Sequence, residues 1–277
     1  MAVAATGFFD GVHLGHRAVI ETLLKTARER SEQSLILTFW PHPRTILRGG
    51  SRDLRLLTSL EEKRAMLLAL GVDRVEVLPF TRDFAALTAR EYLEMLRRDY
   101  GVTSIVLGYD NRFGSDGLST EELASLIDST IVSCADDISS TKIRKKLGEG
   151  EVKDAARMLG YEYSLSGVVV SGNMMGRTIG FPTANMKLRE PLKCLPGVGA
   201  YLTRVEVVGR QLWGMTNIDH NEKIETNIFD FDEEIYGLDL KVTFVDKLRD
   251  EIHFNSFEEL KTQLLRDRAA ASALIPA

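Results

Sequence analysis

The apolar positions follow two different rhythms along the chain. Over residues 1–147, short runs of β-branched and aliphatic residues alternate with longer stretches of helical spacing. Strand candidates are Ala2–Thr6, Ser34–Phe39, Arg74–Leu78 and Thr103–Leu107, with Thr130–Cys134 a fifth; each ends near Gly, Pro or Asp. Between them, Val19, Ile20, Leu23, Leu24 and Ala27 repeat as one face of a helix. Ser59 with Glu62, Thr88 with Glu91 and Ser119 with Glu122 have the capping-box spacing that marks a helix start. Strands alternating with helices predict crossover connections and a parallel sheet. Ligands of such a sheet sit at the carboxyl ends of its strands.

The rhythm changes after Arg144. Lys145–Met158 reads as a charged helical connector, and from Tyr161 the alternation has period two. Tyr201, Thr203, Val205 and Val207 alternate with Leu202, Arg204 and Glu206, and Leu240, Val242 and Phe244 alternate with Asp239, Lys241 and Thr243. Period two predicts strands with one covered face, and several of them with short turns predict an antiparallel barrel. Ser256 and Glu259 then form a capping box for a last helix, with Leu260, Leu264 and Leu265 as its apolar face. The expected organisation is an α/β half over 1–147 and an all-β half over 148–277 that ends in a helix.

Composition narrows the function classes. Of 277 residues, 44% are hydrophobic and 27% charged, as in an ordinary soluble protein, and the length suits two cores. A net charge of −5 disfavours a nucleic-acid-coating surface but permits local basic pockets for phosphate. No apolar run approaches the roughly 20 residues that span a bilayer. The opening M-A-V-A-A-T-G has neither a basic region nor a long apolar one, so it reads as a strand entering a glycine turn. The expected compartment is the cytoplasm. Cys134 and Cys194 lack metal-ligand spacing and read as two reduced, buried thiols.

Two strings in the first half bear chemistry: G-F-F-D-G-V-H-L-G-H at 7–16 and I-S-S-T-K-I-R at 138–144. Both fall at strand-to-helix junctions. Gly7 and Gly11 allow a tight turn that approaches a ligand closely. If a helix begins near Leu14, His13 and His16 lie at its first turn, where the macrodipole favours anions. Imidazole N–H groups there can stabilise charge building on phosphate oxygens. A lone H-x-x-H is usually incidental, and the ten-residue string is far more specific. Ser139, Ser140 and Thr141 start another helix whose hydroxyls and unpaired N–H groups suit an anion, with Arg144 one turn on. A simple N-cap would explain one serine but not the upstream string.

In the second half, Gly172, Gly176 and Gly180 punctuate a loop after a strand at Gly167–Val170, within G-N-M-M-G-R-T-I-G-F-P-T-A-N at 172–185. Backbone N–H groups of such a loop can cradle phosphates, although no Walker A lysine follows. Thr183 and Asn185 offer hard oxygens suited to Mg2+ beside ATP, with Pro182 presetting the turn. Glu225 opens I-E-T-N-I-F-D-F-D-E-E-I-Y-G. A phosphoryl acceptor needs such a carboxylate to take its proton, although a glutamate at a strand edge is by itself more often only solvated.

These strings carry a resemblance. The first half is similar to the nucleotidyltransferase superfamily with the H-x-G-H signature, in the form seen in bacterial FAD synthetases; T-F-W-P-H-P at 38–43 and L-G-Y-D-N-R-F-G at 107–114 strengthen the match. The second half resembles the riboflavin kinase domain, and L-R-D-E-I-H-F at 248–254 matches that family's closing segment. The whole chain thus resembles the bifunctional bacterial riboflavin kinase/FMN adenylyltransferases.

The resemblance implies a Rossmann-like domain with a parallel sheet, then a six-stranded antiparallel barrel. It implies riboflavin, FMN and ATP as partners, with Mg2+ as cofactor and FMN and FAD as intermediate and product. For adenylyl transfer it puts ATP on Gly7, Phe8, Asp10, His13 and His16, with Ser139, Ser140, Thr141 and Arg144 opposite. Asp110, Asn111 and Phe113 would lie near the flavin, and Arg249 near the flavin of the second half. For the kinase it puts ATP on Gly172, Gly176, Arg177, Thr178 and Thr183, Mg2+ at Thr183 and Asn185, and Glu225 as base for the ribityl 5′-hydroxyl.

Phe39, Trp40, His42 and Pro43 fit either a flavin contact or a packed strand end. The chain also departs from the family pattern. The family usually has about ten more residues before the first strand, and the stretch from Asn111 to Ile138 is shorter than usual. Gly199-Ala200-Tyr201 stands for the family's G-V-Y, and D-H-N-E-K-I replaces a G-x-R-P-T-F-like stretch before Glu225. Two other readings stay open at this point: an FMN adenylyltransferase with an impaired kinase half, and a flavin-binding regulatory protein.

Overall fold

A computed structural model describes residues 1–47, 54–108, 112–133, 138–172, 176 and 180–276. Its contacts divide the chain into two compact units, Met1–Ser140 and Thr141–Ala277.

The first unit is built on a five-stranded parallel sheet of order β3-β2-β1-β4-β5. Its strands are β1 (Ala2–Thr6), β2 (Gln33–Trp40), β3 (Arg74–Pro79), β4 (Val102–Gly108) and β5 (Asp128–Val132). The first strand lies in the middle and is buried throughout, which explains its lack of alternation. Its side chains feed two cores. Ala2 and Ala4 face Leu35, Leu37, Leu93 and Leu96, while Val3 and Ala5 face Ile20, Leu23, Ile36 and Leu67. The expected Thr130–Cys134 strand lies two residues earlier, at Asp128–Val132, where it pairs Ser104–Gly108; Cys134 is outside the described residues.

The helices behave largely as their caps require. α1 (Leu14–Arg30) supplies Ile20, Leu23 and Ala27 to the core. The boxes at Ser59, Thr88 and Ser119 all form, opening α3 (Leu60–Ala69), α5 (Ala89–Tyr100) and α6 (Thr120–Ala124). Two one-turn helices, α2 (Pro43–Leu47) and α4 (Arg82–Ala86), complete the unit. β1 and β4 are neighbours although β2 and β3 lie between them in sequence. The strand order therefore reverses beside β1, the place where open parallel sheets bind ligands.

The connector corrects the sequence reading. It forms two helices, α7 (Ser140–Gly148) and α8 (Val152–Leu159), not one. Gly150 between them has φ +76°, a conformation that ends a helix.

The second unit contains a closed antiparallel barrel of six strands in the order β10-β7-β6-β11-β8-β9. They are β6 (Ser164–Val170), β7 (Ala184–Leu188), β8 (Gly199–Val207), β9 (Arg210–Ile218), β10 (Ile224–Ile228) and β11 (Asp239–Arg249). Closure removes the exposed edges that a small open sheet would leave. Thr203, Thr216 and Thr226 are fully buried and joined hydroxyl to hydroxyl at 2.9 Å, so these polar groups satisfy one another.

The last helix, Phe257–Leu274, packs against β9 and β11. Ser256 caps it, but Glu259 accepts from the Asn255 N–H, so the expected box is only half made. Its apolar face also differs. Leu265 is 56% exposed, whereas Ala271 and, unexpectedly, Asp267 are buried. Asp267 is there because it pairs with Arg249 of β11. Cys194 is a buried thiol outside any disulfide, as expected.

Candidate active sites

In the first unit the turn after β1 is strained and held. Gly11 has φ +81°, and two residues with side chains, Phe9 and Val12, also have positive φ, at 53° and 38°. A β-branched residue avoids that region, so the surroundings must enforce it. Two anchors do so. The buried Asp10 carboxylate accepts from the Leu57 N–H at 2.9 Å, the Thr58 N–H at 3.1 Å and the Thr58 hydroxyl at 3.3 Å. The Phe8 carbonyl accepts from the Thr38 hydroxyl at 3.1 Å and Lys63 Nζ at 2.8 Å. Gly7, by contrast, needs no positive φ, so the special geometry begins two residues beyond it, at Phe9.

His13 is itself the N-cap of α1: its Nδ1 accepts from the His16 N–H at 3.3 Å. That fixes the neutral tautomer with the proton on Nε2, a donor. The two imidazoles stack with centroids 3.6 Å apart. Burial, reinforced by His13 and Lys63, lowers the His16 pKa well below 6.5, so His16 is neutral at pH 7. A buried His16 Nδ1 has no partner. The result is a helix N-terminus lined with neutral N–H donors, an environment suited to phosphate.

Ser140 joins this turn, its hydroxyl donating to the Asp10 carbonyl at 2.9 Å. Ser140 of the second motif is therefore brought to the turn of the first. Ser139 precedes α7 directly, while Thr141 and Arg144 fall in the second unit. Asp110 and Asn111 lie outside the described residues.

A cavity of about 460 Å3 opens at the carboxyl ends of β1 and β2, with Gly7, Phe39 and Phe113 on its wall. Sequence reading missed Phe80, Phe84 and Tyr92, which complete an aromatic cluster. Phe39, Phe80 and Phe84 stand 5.6–5.7 Å apart, and Tyr92 lies edge-on to Phe84 at 5.6 Å. Tyr92 also hydrogen-bonds the Thr6 hydroxyl at 2.7 Å, and burial raises its pKa. Rings so arranged fit a flat, apolar heteroaromatic guest. Of the T-F-W-P-H-P segment, Phe39 lines this cavity and His42 packs on Phe8 with ring centroids 4.2 Å apart.

In the second unit a cavity of about 310 Å3 brings Gly176, Thr183, Glu225 and Arg249 together. One part of its wall is polar, with Asp219, Lys223 and Asn227 beside Thr183 and Glu225. The other is apolar, with Met215, Ile252, Phe254 and Leu264. A guest with an apolar ring and a hydroxylated tail matches that division. Arg177 and Thr178 lie outside the described residues.

Asn185 stands directly across the ladder from Glu225. It is 7% exposed and its Oδ1 has no partner. Asn227 Oδ1 is likewise buried and unpartnered, while its Nδ2 donates to the Pro182 carbonyl at 2.7 Å. A buried acceptor left unsatisfied is costly unless a ligand completes it. Thr183 with Asn185 therefore fits a hard cation such as Mg2+. Gly172 makes room for this: a Cβ there would stand 2.1 Å from Asn185 Nδ2.

The replaced stretch before Glu225 is a closed turn. Ile218 pairs with Ile224, and Asp219 Oδ1 accepts from the Asn221 and Lys223 N–H groups at 2.8 and 2.9 Å. It delivers Lys223 Nζ to 2.5 Å from Glu225 Oε1. Arg249 is not an uncommitted cation for flavin: its Nε donates to both Asp267 oxygens at 2.9 and 3.1 Å, which ties the last helix to the barrel. Asn227 could have been found in sequence, since period two puts it on the same strand face as Glu225. Asp267 gave no such signal.

Comparison with known proteins finds a match for each half of the chain. The FAD synthetase family model matches residues 1–144, and the riboflavin kinase model matches 159–275. A bifunctional riboflavin kinase/FMN adenylyltransferase of Listeria monocytogenes is 38% identical over 96% of this chain and 90% of its own length. Its Escherichia coli K12 counterpart is 36% identical over 97% and 91%. A crystal structure described as a macrolide-efflux protein from Streptococcus pneumoniae superposes with a TM-score of 0.91 at 33% identity, covering 98% of this chain and 93% of that one.

Proposed function

The chain belongs to the family of bifunctional riboflavin kinases/FMN adenylyltransferases, and from that premise we propose how its residues divide the work. It is an enzyme of FAD biosynthesis. The second half transfers a phosphoryl group from ATP to riboflavin, and the first half joins the AMP of a second ATP to FMN with release of pyrophosphate.

In the kinase, Glu225 takes the proton of the ribityl 5′-hydroxyl as that oxygen attacks the γ-phosphorus, whose bond to the β,γ-bridging oxygen breaks so that ADP leaves. Thr183 and Asn185 would hold Mg2+, which neutralises charge on the ATP phosphates when bound. Gly172, Gly176, Arg177 and Thr178 supply the phosphate loop. The apolar wall at Met215, Ile252 and Phe254 takes the isoalloxazine ring, so the ribityl chain points toward Glu225 and Asn227. Because Lys223 already occupies Glu225 Oε1, the incoming hydroxyl either uses the other carboxylate oxygen or displaces the lysine.

In the adenylyltransferase, the first turn of α1 receives the ATP phosphates, with donors from His13, His16, Ser139 and Ser140; the family resemblance adds Thr141 and Arg144. The phosphate of FMN attacks the α-phosphorus, and pyrophosphate leaves. Little covalent work falls to the protein; it positions the reactants and offsets charge. The aromatic cavity at Phe39, Phe84 and Phe113 takes the flavin ring; the family resemblance adds Asp110 and Asn111 as flavin contacts. We infer the cytoplasm as the compartment. The observation that carries the reading is the pairing of a neutral histidine cap at one site with orphaned carboxamide oxygens at the other.

The test is a single incubation with riboflavin, ATP and Mg2+, followed by chromatography of the flavins. FAD from riboflavin supports both steps. FAD from FMN but not from riboflavin would leave the adenylyltransferase alone, and the Lys223–Glu225 pair would be the first place to look. Tight flavin binding without turnover would support the regulatory reading.

A further inference from the structure

The first unit buries a lysine outside the two motifs that bear its chemistry. Lys63 is 1% exposed and sits in the second turn of α3, on the face that also buries Leu67. Among the described residues it forms no ion pair. Its ammonium donates to the Phe8 carbonyl at 2.8 Å and lies 3.8 Å from the centroid of the Phe8 ring. Asp10, the carboxylate that attracts it, is already engaged by Leu57 and Thr58.

A buried cation is expensive unless something repays it. Burial lowers the Lys63 pKa to about 8, and the charge in turn helps to keep His16 neutral. An apolar residue would fill this space at lower cost, so the charge is better understood as serving the turn it touches and a ligand still to come.

We propose that Lys63 is a positioning residue for adenylyl transfer: its ammonium pins the Phe8 carbonyl, and so the strained turn bearing Asp10 and His13, and sets a fixed positive charge behind the cradle that the nucleotide polyphosphate completes. The inference rests on assigning adenylyl transfer to residues 7–16. Lys63 does not touch the reacting atoms. It holds the donors that do, in a dry environment where a fixed charge acts strongly.

The experiment uses the full chain with Lys63→Met, Lys63→Gln and Lys63→Arg. Steady-state conversion of FMN to FAD gives kcat and the KM for ATP, riboflavin phosphorylation by the same preparations reports the other site, and urea unfolding reports stability. The expected result is a loss of about 100-fold in kcat/KM for ATP in Lys63→Met, comparable with removal of one preorganised electrostatic group. Lys63→Gln keeps a donor but no charge and should be intermediate, and Lys63→Arg should recover at least tenfold over Met. Riboflavin phosphorylation should stay at the wild-type rate, and the unfolding midpoint of Lys63→Met should hold or rise. Adenylylation within threefold of wild type in Lys63→Met would overturn the proposal. So would a loss that tracks a lowered midpoint and is equally deep in Arg. An inactive wild-type chain would instead count against the adenylyltransferase assignment itself.

Discussion

Gly172→Ala tests the kinase site through one added carbon. The backbone at Gly172 is not in the left-handed region, so alanine brings no conformational strain. The new Cβ, however, would lie 2.1 Å from Asn185 Nδ2 and 2.6 Å from its Cγ, where ordinary contact begins at 3.4 Å. The Asn185 carboxamide must therefore retreat by about 1.3 Å (3.4 less 2.1). It is the end of a side chain and not backbone, so it can do so without breaking the β7–β10 ladder. Global stability should change by less than about 1 kcal/mol. A displacement of about 1 Å at a catalytic group is worth roughly 100-fold in rate. We expect riboflavin phosphorylation to fall by that order and to need more Mg2+ for half-maximal rate, while FMN adenylylation is unchanged. The assay follows both reactions in one preparation across a Mg2+ titration, with thermal unfolding as the control. A Gly172→Ala protein with wild-type kinase activity and an unshifted Mg2+ requirement would refute the assignment of Asn185 to the metal.

Three further outcomes follow from the same geometry. Glu225→Gln should lower the kcat of riboflavin phosphorylation by 100-fold or more, the usual share of a general base, and leave FAD formation from FMN intact; loss of both activities in a folded protein would contradict separate sites. Asp10→Ala leaves the Leu57 and Thr58 amides without their acceptor, at about 1–3 kcal/mol each, so urea unfolding of the first unit should shift by about 2–6 kcal/mol, and an unchanged midpoint would show that the turn does not depend on this anchor. His16 has a folded pKa well below its ordinary 6.5, so the unfolded chain binds a proton that the folded one refuses. Stability should therefore fall as pH drops below about 6.5, by up to about 1.4 kcal/mol per pH unit, and His16→Phe should flatten that slope in pH-dependent urea melts.

The sequence by itself determined the element types, the change from one fold class to the other, and the motifs that carry chemistry. These are local properties: period, caps and strings such as residues 7–16 and 172–185 are written in consecutive residues. β1 was readable to its ends because a buried strand meets a glycine turn, and all three capping boxes of the first unit formed as their spacing required. Only the tertiary structure decided which distant residues meet. The anchoring of Asp10 by Leu57 and Thr58, the packing of Phe80 and Phe84 on Phe39, the contact of Lys63 with Phe8 and the binding of Arg249 to Asp267 join positions 18 to 55 residues apart. Nothing in their own neighbourhoods predicts them; Lys63 and Asp267 sit on helix faces where a charged residue normally meets solvent. Burial is a property of the packed chain, and so is the electrostatic cost that makes such residues informative.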